Sequence, residues 1–295
     1  MKRPAGPDGL VVVDKPAGWT SHDVVAKSRG LLGTRKVGHA GTLDPDATGV
    51  LLLGVGRATK LLRFLSPLGK SYVGDVSLGT ETSTLDAAGE VTATFDMSGV
   101  TFDQIQAAAS RFVGPIEQIP PMVSAVKIDG KRLHELARQG IEVERPPRPV
   151  TIHSLEVLPS DEDGVFTMAV ECSSGTYIRT LAADIGTALG GGAHLRVLRR
   201  TAVGPFTLAD SVPLEAVSPD VVRPMVEAVR HLPSVTVNDE VQAAVAVGKV
   251  LDRSVLGVEG DGPWAVLGDD ETLLAVYEPF RGDTVKPSLV IPPPP

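Results

Sequence analysis

Gly38-His39-Ala40-Gly41-Thr42-Leu43-Asp44-Pro45-Asp46-Ala47-Thr48-Gly49 decides how the chain is read. The stretch lacks hydrophobic alternation, sets a carboxylate among three glycines and a proline, and runs into an apolar segment (50–53) and a basic one (57–60). Glycine lets backbone approach a ligand closely, while Pro45 fixes its own φ and biases Asp44 toward an extended conformation. The Asp44 carboxylate is therefore expected to be held in place, as a candidate nucleophile or base. The competing reading is an Asx-type turn in which Asp44 and Asp46 bond nearby backbone N–H groups. His39 and the downstream cations favour a working loop beside a buried strand or helix.

The chain of 295 residues has room for one large domain and a small one. With 42% hydrophobic and 22% charged residues it has the composition of a soluble globular protein. Cys172 is the only cysteine, so an intrachain disulfide and a cysteine-held zinc are both excluded, and a reducing cytoplasm is the expected location. No stretch reads as a signal peptide or a membrane span. The net charge of −8 is unevenly spread. Residues 1–70 carry +6 and residues 231–295 carry −6, which places a basic face around Asp44 on an otherwise acidic protein.

The apolar run 10–13 reads as a strand entering a turn at 15–19, with Lys15 a candidate to project toward an anionic ligand. Ser21 is predicted to N-cap a helix through residue 28 that turns Val24 and Val25 to the core. The basic, glycine-punctuated segment 29–36 suits a phosphate-facing loop. Residues 70–79 alternate as a strand carrying Tyr72, as core packing or as a platform on which a base stacks. A polar loop (80–89) follows, then a helix over 101–112 opened by Thr101 with Gln104, an extended segment and hairpin (119–132) and a short helix (133–139). Strands over 150–158 and 165–172 lead to Gly175, after which Tyr177 and Arg179 stand at the mouth of a helix over 180–189. Arg179 there is either a partner that keeps Asp44 ionised or a surface residue. A flexible turn (190–195) precedes a strand in which Arg196, Arg199 and Arg200 suggest phosphate contacts. Residues 214–232 read as a helical connector, and 234–295 as an acidic region of short strands. The expected division is 1–230 and 231–295.

Several motifs occur together in one order. Lys15-Pro16-x-Gly18, the 38–49 loop, Lys70-x-Tyr72, Pro120-Pro121 with Ser124-Ala125-x-Lys127, Gly130-Lys131-Arg132, Gly175-Thr176-Tyr177-Ile178-Arg179, and Gly192-Ala193-His194-Leu195 through Leu198-Arg199-Arg200 resemble the TruB family of bacterial tRNA pseudouridine-55 synthases. The resemblance covers roughly residues 9–206. It implies an α+β catalytic domain on a long mixed, mainly antiparallel sheet, plus a small C-terminal β-rich, PUA-like domain. It also implies action on the uridine of the T-arm loop of tRNA. On that resemblance Asp44 matches the catalytic aspartate, Tyr72 the base-stacking tyrosine, Tyr177 the second active-site tyrosine and Arg179 the arginine that pairs with the aspartate. His39 matches the loop histidine, Lys15 the N-terminal motif lysine and Leu198 an apolar pocket residue; Arg199 and Arg200 complete the expected substrate-binding set. His134 departs from the pattern, standing where relatives usually have tyrosine.

Isomerising uridine breaks the N-glycosidic bond, turns the uracil and rejoins it through carbon. No redox change or outside energy is needed, so neither a cofactor nor a metal is expected. The base has to leave its fold to react, with His39 a candidate for the vacated space. Whether Asp44 attacks the uracil, attacks the sugar or removes a sugar proton is left open by the residues. The expected partner is tRNA, bound by a monomer that requires no membrane and no protein partner. Two alternatives stand beside this reading: a non-catalytic tRNA-binding or tRNA-folding protein, and a haloacid-dehalogenase-like phosphatase, whose Asp-x-Asp-x-Thr pattern fits residues 44–48.

Overall fold

The computed structural model describes residues 6–124, 127–128, 131–132, 141 and 143–292. The short helix expected at 133–139, and His134 with it, lie outside the described residues. Contacts divide the chain into two compact units, one of Met1–Pro45, Val50–Ser66 and Gly204–Pro295, the other of Asp46–Gly49 and Pro67–Val203.

In the first unit the strand Gly9–Lys15 is buried along nearly its whole length and pairs in parallel with Val212–Pro213. Val37–Ala40 runs antiparallel to the strand Thr48–Val55, with His39 across from Leu53. The helix Ser21–Leu31 turns Val24 and Val25 onto a core of Val11, Val13, Leu51 and Leu53, as its spacing predicts. Its N-cap is Thr20, not Ser21: the Thr20 hydroxyl accepts from Asp23 N–H while the Asp23 carboxylate accepts from Thr20 N–H. That reciprocal pair satisfies two donors the first turn leaves orphaned. The expected helix over 214–232 is instead three short 3₁₀ turns, Leu214–Ala216, Pro219–Val221 and Met225–Val229. Pro219 and Pro224 lack the N–H an α-helix needs and crowd the preceding turn. Toward the C-terminus a five-stranded sheet, ordered Ser234–Thr236, Trp264–Leu267, Leu273–Pro279, Thr284–Val290 and Leu251–Asp252, closes over a core centred on Trp264, Tyr277 and Val245.

In the second unit Lys70–Leu78 is the central strand, antiparallel to both Val165–Cys172 and Ala193–Val203. Val165–Cys172 continues antiparallel to Arg148–Pro159, which pairs in turn with Gly114–Gln118. Thr48 and Gly49 pair in parallel with Arg199 and Arg200. The helix Phe102–Ser110 opens on Thr101 with Gln104 as its capping box, as expected from the sequence. Lys127–Ile128 and Lys131–Arg132 form the expected hairpin. The fold is thus α+β, with a large mixed, mainly antiparallel sheet and a β-rich C-terminal part. Among the described residues no helix is long and apolar enough to cross a membrane.

Candidate active site

Asp44 is partly exposed, and the backbone on each side of it is clamped. On the N-terminal side, the buried Ser21 hydroxyl accepts from Leu43 N–H at 2.9 Å and donates to Leu43 C=O at 3.2 Å. On the C-terminal side, the Pro45 carbonyl accepts from the Lys15 ammonium at 2.8 Å and from Gly18 N–H at 3.0 Å. The loop is therefore anchored to the first strand, the turn after it and the first helix, and Asp44 stands between the two anchors.

Lys15 takes this part in place of the one expected of it. Its side chain is fully buried, and its ammonium also donates to the carbonyls of Trp19 at 2.6 Å and Pro16 at 2.9 Å. An ammonium held this way staples backbone and does not reach a ligand phosphate. His39 is half-buried on the strand that leads into the loop, and its ring meets the exposed ring of His22 edge to face, centroids 5.2 Å apart at 84°.

The other candidates lie in the second unit. Tyr72 is buried, directly across from Arg200 on one neighbouring strand and Val170 on the other. Residues directly opposite each other in an antiparallel pair point to the same side of the sheet. Tyr72 and Arg200 therefore share the buried face, together with Leu198, whose side chain lies over Gly74, where a Cβ would stand 3.2 Å from the Leu198 Cδ1. Arg199 is opposite Val73 and takes the other face, its guanidinium donating to the Thr48 hydroxyl at 3.2 Å.

Of the three arginines expected to contact phosphates, Arg200 is the one corrected, since it alone is withdrawn from solvent. Arg200 has no solvent-accessible surface, and Arg196 is engaged by Glu162 at 2.6 Å. Beside Arg200, burial pushes the Lys70 ammonium down to about 8, and the neighbouring guanidinium pushes in the same direction. Cys172, cross-strand from Lys70, is the opposite case: burial raises its thiol to about 11 and leaves it an inert core group.

Tyr177 and Arg179 stand, as expected, at the start of a helix, here Ile178–Ala188. The Gln118 side-chain amide brackets Tyr177, accepting from its N–H at 2.9 Å and donating to its C=O at 3.2 Å. Arg179 is no surface residue: it is buried, ion-paired with Asp86 at 3.1 Å, and donates to Val123 C=O at 2.6 Å. Asp86 belongs to the polar loop, where Thr84 and the Ala88 N–H donate to its other carboxylate oxygen.

Three contributors escaped the sequence reading. Ser21 was hidden by being read as a cap, although Thr20-x-x-Asp23 is the better capping-box pattern. Asp86 was legible as the acidic member of a threonine-rich loop. Gln118 carries no sequence signal.

Residues 29–178 match "TruB family pseudouridylate synthase (N terminal domain)" and residues 179–259 match "tRNA pseudouridylate synthase B C-terminal domain". A protein of Shouchella clausii named tRNA pseudouridine synthase B is 44% identical over 95% of this chain and 97% of its own. One of the same name from Streptomyces griseus is 48% identical over 94% and 95%. A chain in a solved Cbf5-Nop10-Gar1 complex has a TM-score of 0.75 at 29% identity, over 99% of this chain and 92% of its own.

Proposed function

This chain belongs to the TruB family of pseudouridine synthases, and on that premise we propose that it isomerises a uridine in the T-arm loop of tRNA, at position 55, to pseudouridine. The family's chemistry leaves no place for the phosphatase alternative. The observation that carries the reading is the anchoring of residues 43 and 45 on either side of Asp44. A carboxylate set between two backbone anchors meets a substrate with little reorganisation, which is the condition for efficient attack or proton abstraction.

In this reading the target uridine leaves the loop of the RNA, His39 takes the vacated space and Tyr72 stacks on the extruded uracil. Asp44 acts on the nucleotide while the bond from the sugar to nitrogen breaks. The freed uracil turns and its C5 joins the sugar; the C5 proton leaves with Tyr177 nearby, and the released nitrogen takes up a proton. Atoms and electrons balance with no oxidant or reductant. Arg179 adds positive charge to the site, and Leu198 is its apolar residue. The catalytic part is 1–230 and the PUA-like part 231–295, in a cytoplasmic monomer.

The test is a T-arm hairpin carrying tritium at C5 of its single target uridine, incubated with the purified chain and no added metal or nucleotide. Tritium release in step with pseudouridine formation is the expected result. RNA that binds but keeps its label would favour the non-catalytic alternative.

A further inference from the structure

We propose that Ser21 and His22, adjacent on the first turn of the helix Ser21–Leu31, are positioning residues that divide the work of the site, Ser21 setting Asp44 for chemistry and His22 setting His39 for RNA. The inference rests on the function proposed above. Neighbouring residues on a helix point about 100° apart, so two successive side chains reach two different elements. Ser21 is buried and spends both its donor and its acceptor on the backbone of Leu43, the residue before Asp44. His22 is exposed, and its ring packs edge to face on His39. The turn that carries both is itself fixed by the Thr20–Asp23 capping box. Deleting the Ser21 hydroxyl leaves two backbone groups of Leu43 without their partner and releases the anchor on the N-terminal side of Asp44. Deleting the His22 ring leaves the loop intact and removes one packing contact of the His39 ring.

The experiment measures single-turnover rate at saturating hairpin and hairpin affinity for wild type, Ser21→Ala, His22→Ala and His22→Phe. Ser21→Ala is expected to lower the saturated rate about tenfold or more with affinity nearly unchanged. His22→Ala is expected to weaken affinity by roughly three- to tenfold with the saturated rate nearly unchanged, and His22→Phe, which keeps a ring against His39, to recover most of it. A merely structural helix turn would move rate and affinity together and show no rescue. Should Ser21→Ala fail to fold, Ser21→Cys, nearly the same size and a weak hydrogen-bonding group, takes its place with the same expected split. Active wild type with both variants unchanged, or with both shifted in the same parameter, overturns this inference alone. Wild type that forms no pseudouridine overturns the proposed function and this inference with it.

Discussion

Gly49 lies in parallel register with Arg200, so close that a Cβ on Gly49 would stand 2.1 Å from the Arg200 carbonyl oxygen. Its φ of +103° is also one that side-chain-bearing residues rarely adopt. The last glycine of the 38–49 stretch is thus required by the backbone of a strand some 150 positions away, and it fixes where the loop ends. Gly49→Ala is expected to cost about 3 kcal/mol or more of stability, from strain and displacement together. Urea unfolding of the variant checks it.

Asp86 forms an ion pair with the buried Arg179. Asp86→Ala should leave the buried guanidinium without that carboxylate, and breaking a buried pair costs about 3 kcal/mol. Turnover should fall further than hairpin affinity, because Arg179 lies two residues from Tyr177 at the start of the same helix. Thermal unfolding and single-turnover kinetics on one preparation separate the two effects.

Lys15 serves the loop and not the RNA. Lys15→Met should lower stability and turnover, while the slope of log affinity against log salt stays that of wild type, since no phosphate contact is lost. Lys15→Arg should not rescue, because a planar fork of five donors cannot replace a compact ammonium that meets three carbonyls within 2.6–2.9 Å in a fully buried site. Unchanged stability in either variant would return Lys15 to the ligand-facing role first expected of it.

Asp210 gathers Arg223 at 2.9 Å and Arg230 at 3.0 Å. Burial pushes its carboxyl upward, but the Thr207 N–H and the two guanidinium groups outweigh burial and bring it down to about 2. Because the folded-state value is depressed, the stability it contributes is fully present above the unfolded carboxylate value near 4 and is lost as pH falls through about 2. The loss of melting temperature in Asp210→Asn should therefore be largest near neutrality and shrink below about pH 4. A loss independent of pH across that window would assign the effect to packing.

Much of the site was legible in the sequence because its residue types carry their own mechanics. Glycine and proline around Asp44 announce a held loop, alternation over 70–79 puts Tyr72 on a strand, and Gly175 before Tyr177 and Arg179 marks a turn into a helix. What was misread depended on partners far away in the chain. Whether a lysine reaches outward or is swallowed is decided at Lys15 by a carbonyl thirty residues on. Arg199 and Arg200 look equivalent in sequence, yet strand parity sends one to each face and burial withdraws the second from solvent. The connector over 214–232 is not one helix because Pro219 and Pro224 each interrupt it.

In the function proposed above, the carboxylate of Asp44 does chemistry on RNA that other residues bind. Asp44→Asn keeps the size of the side chain and removes its charge, so the variant tests the carboxylate with little disturbance of the loop. On the C5-tritiated hairpin it should bind within about threefold of wild type and release no tritium above background, since a lost essential nucleophile or base costs several orders of magnitude. Tritium release by Asp44→Asn at a rate comparable to wild type would contradict the claim.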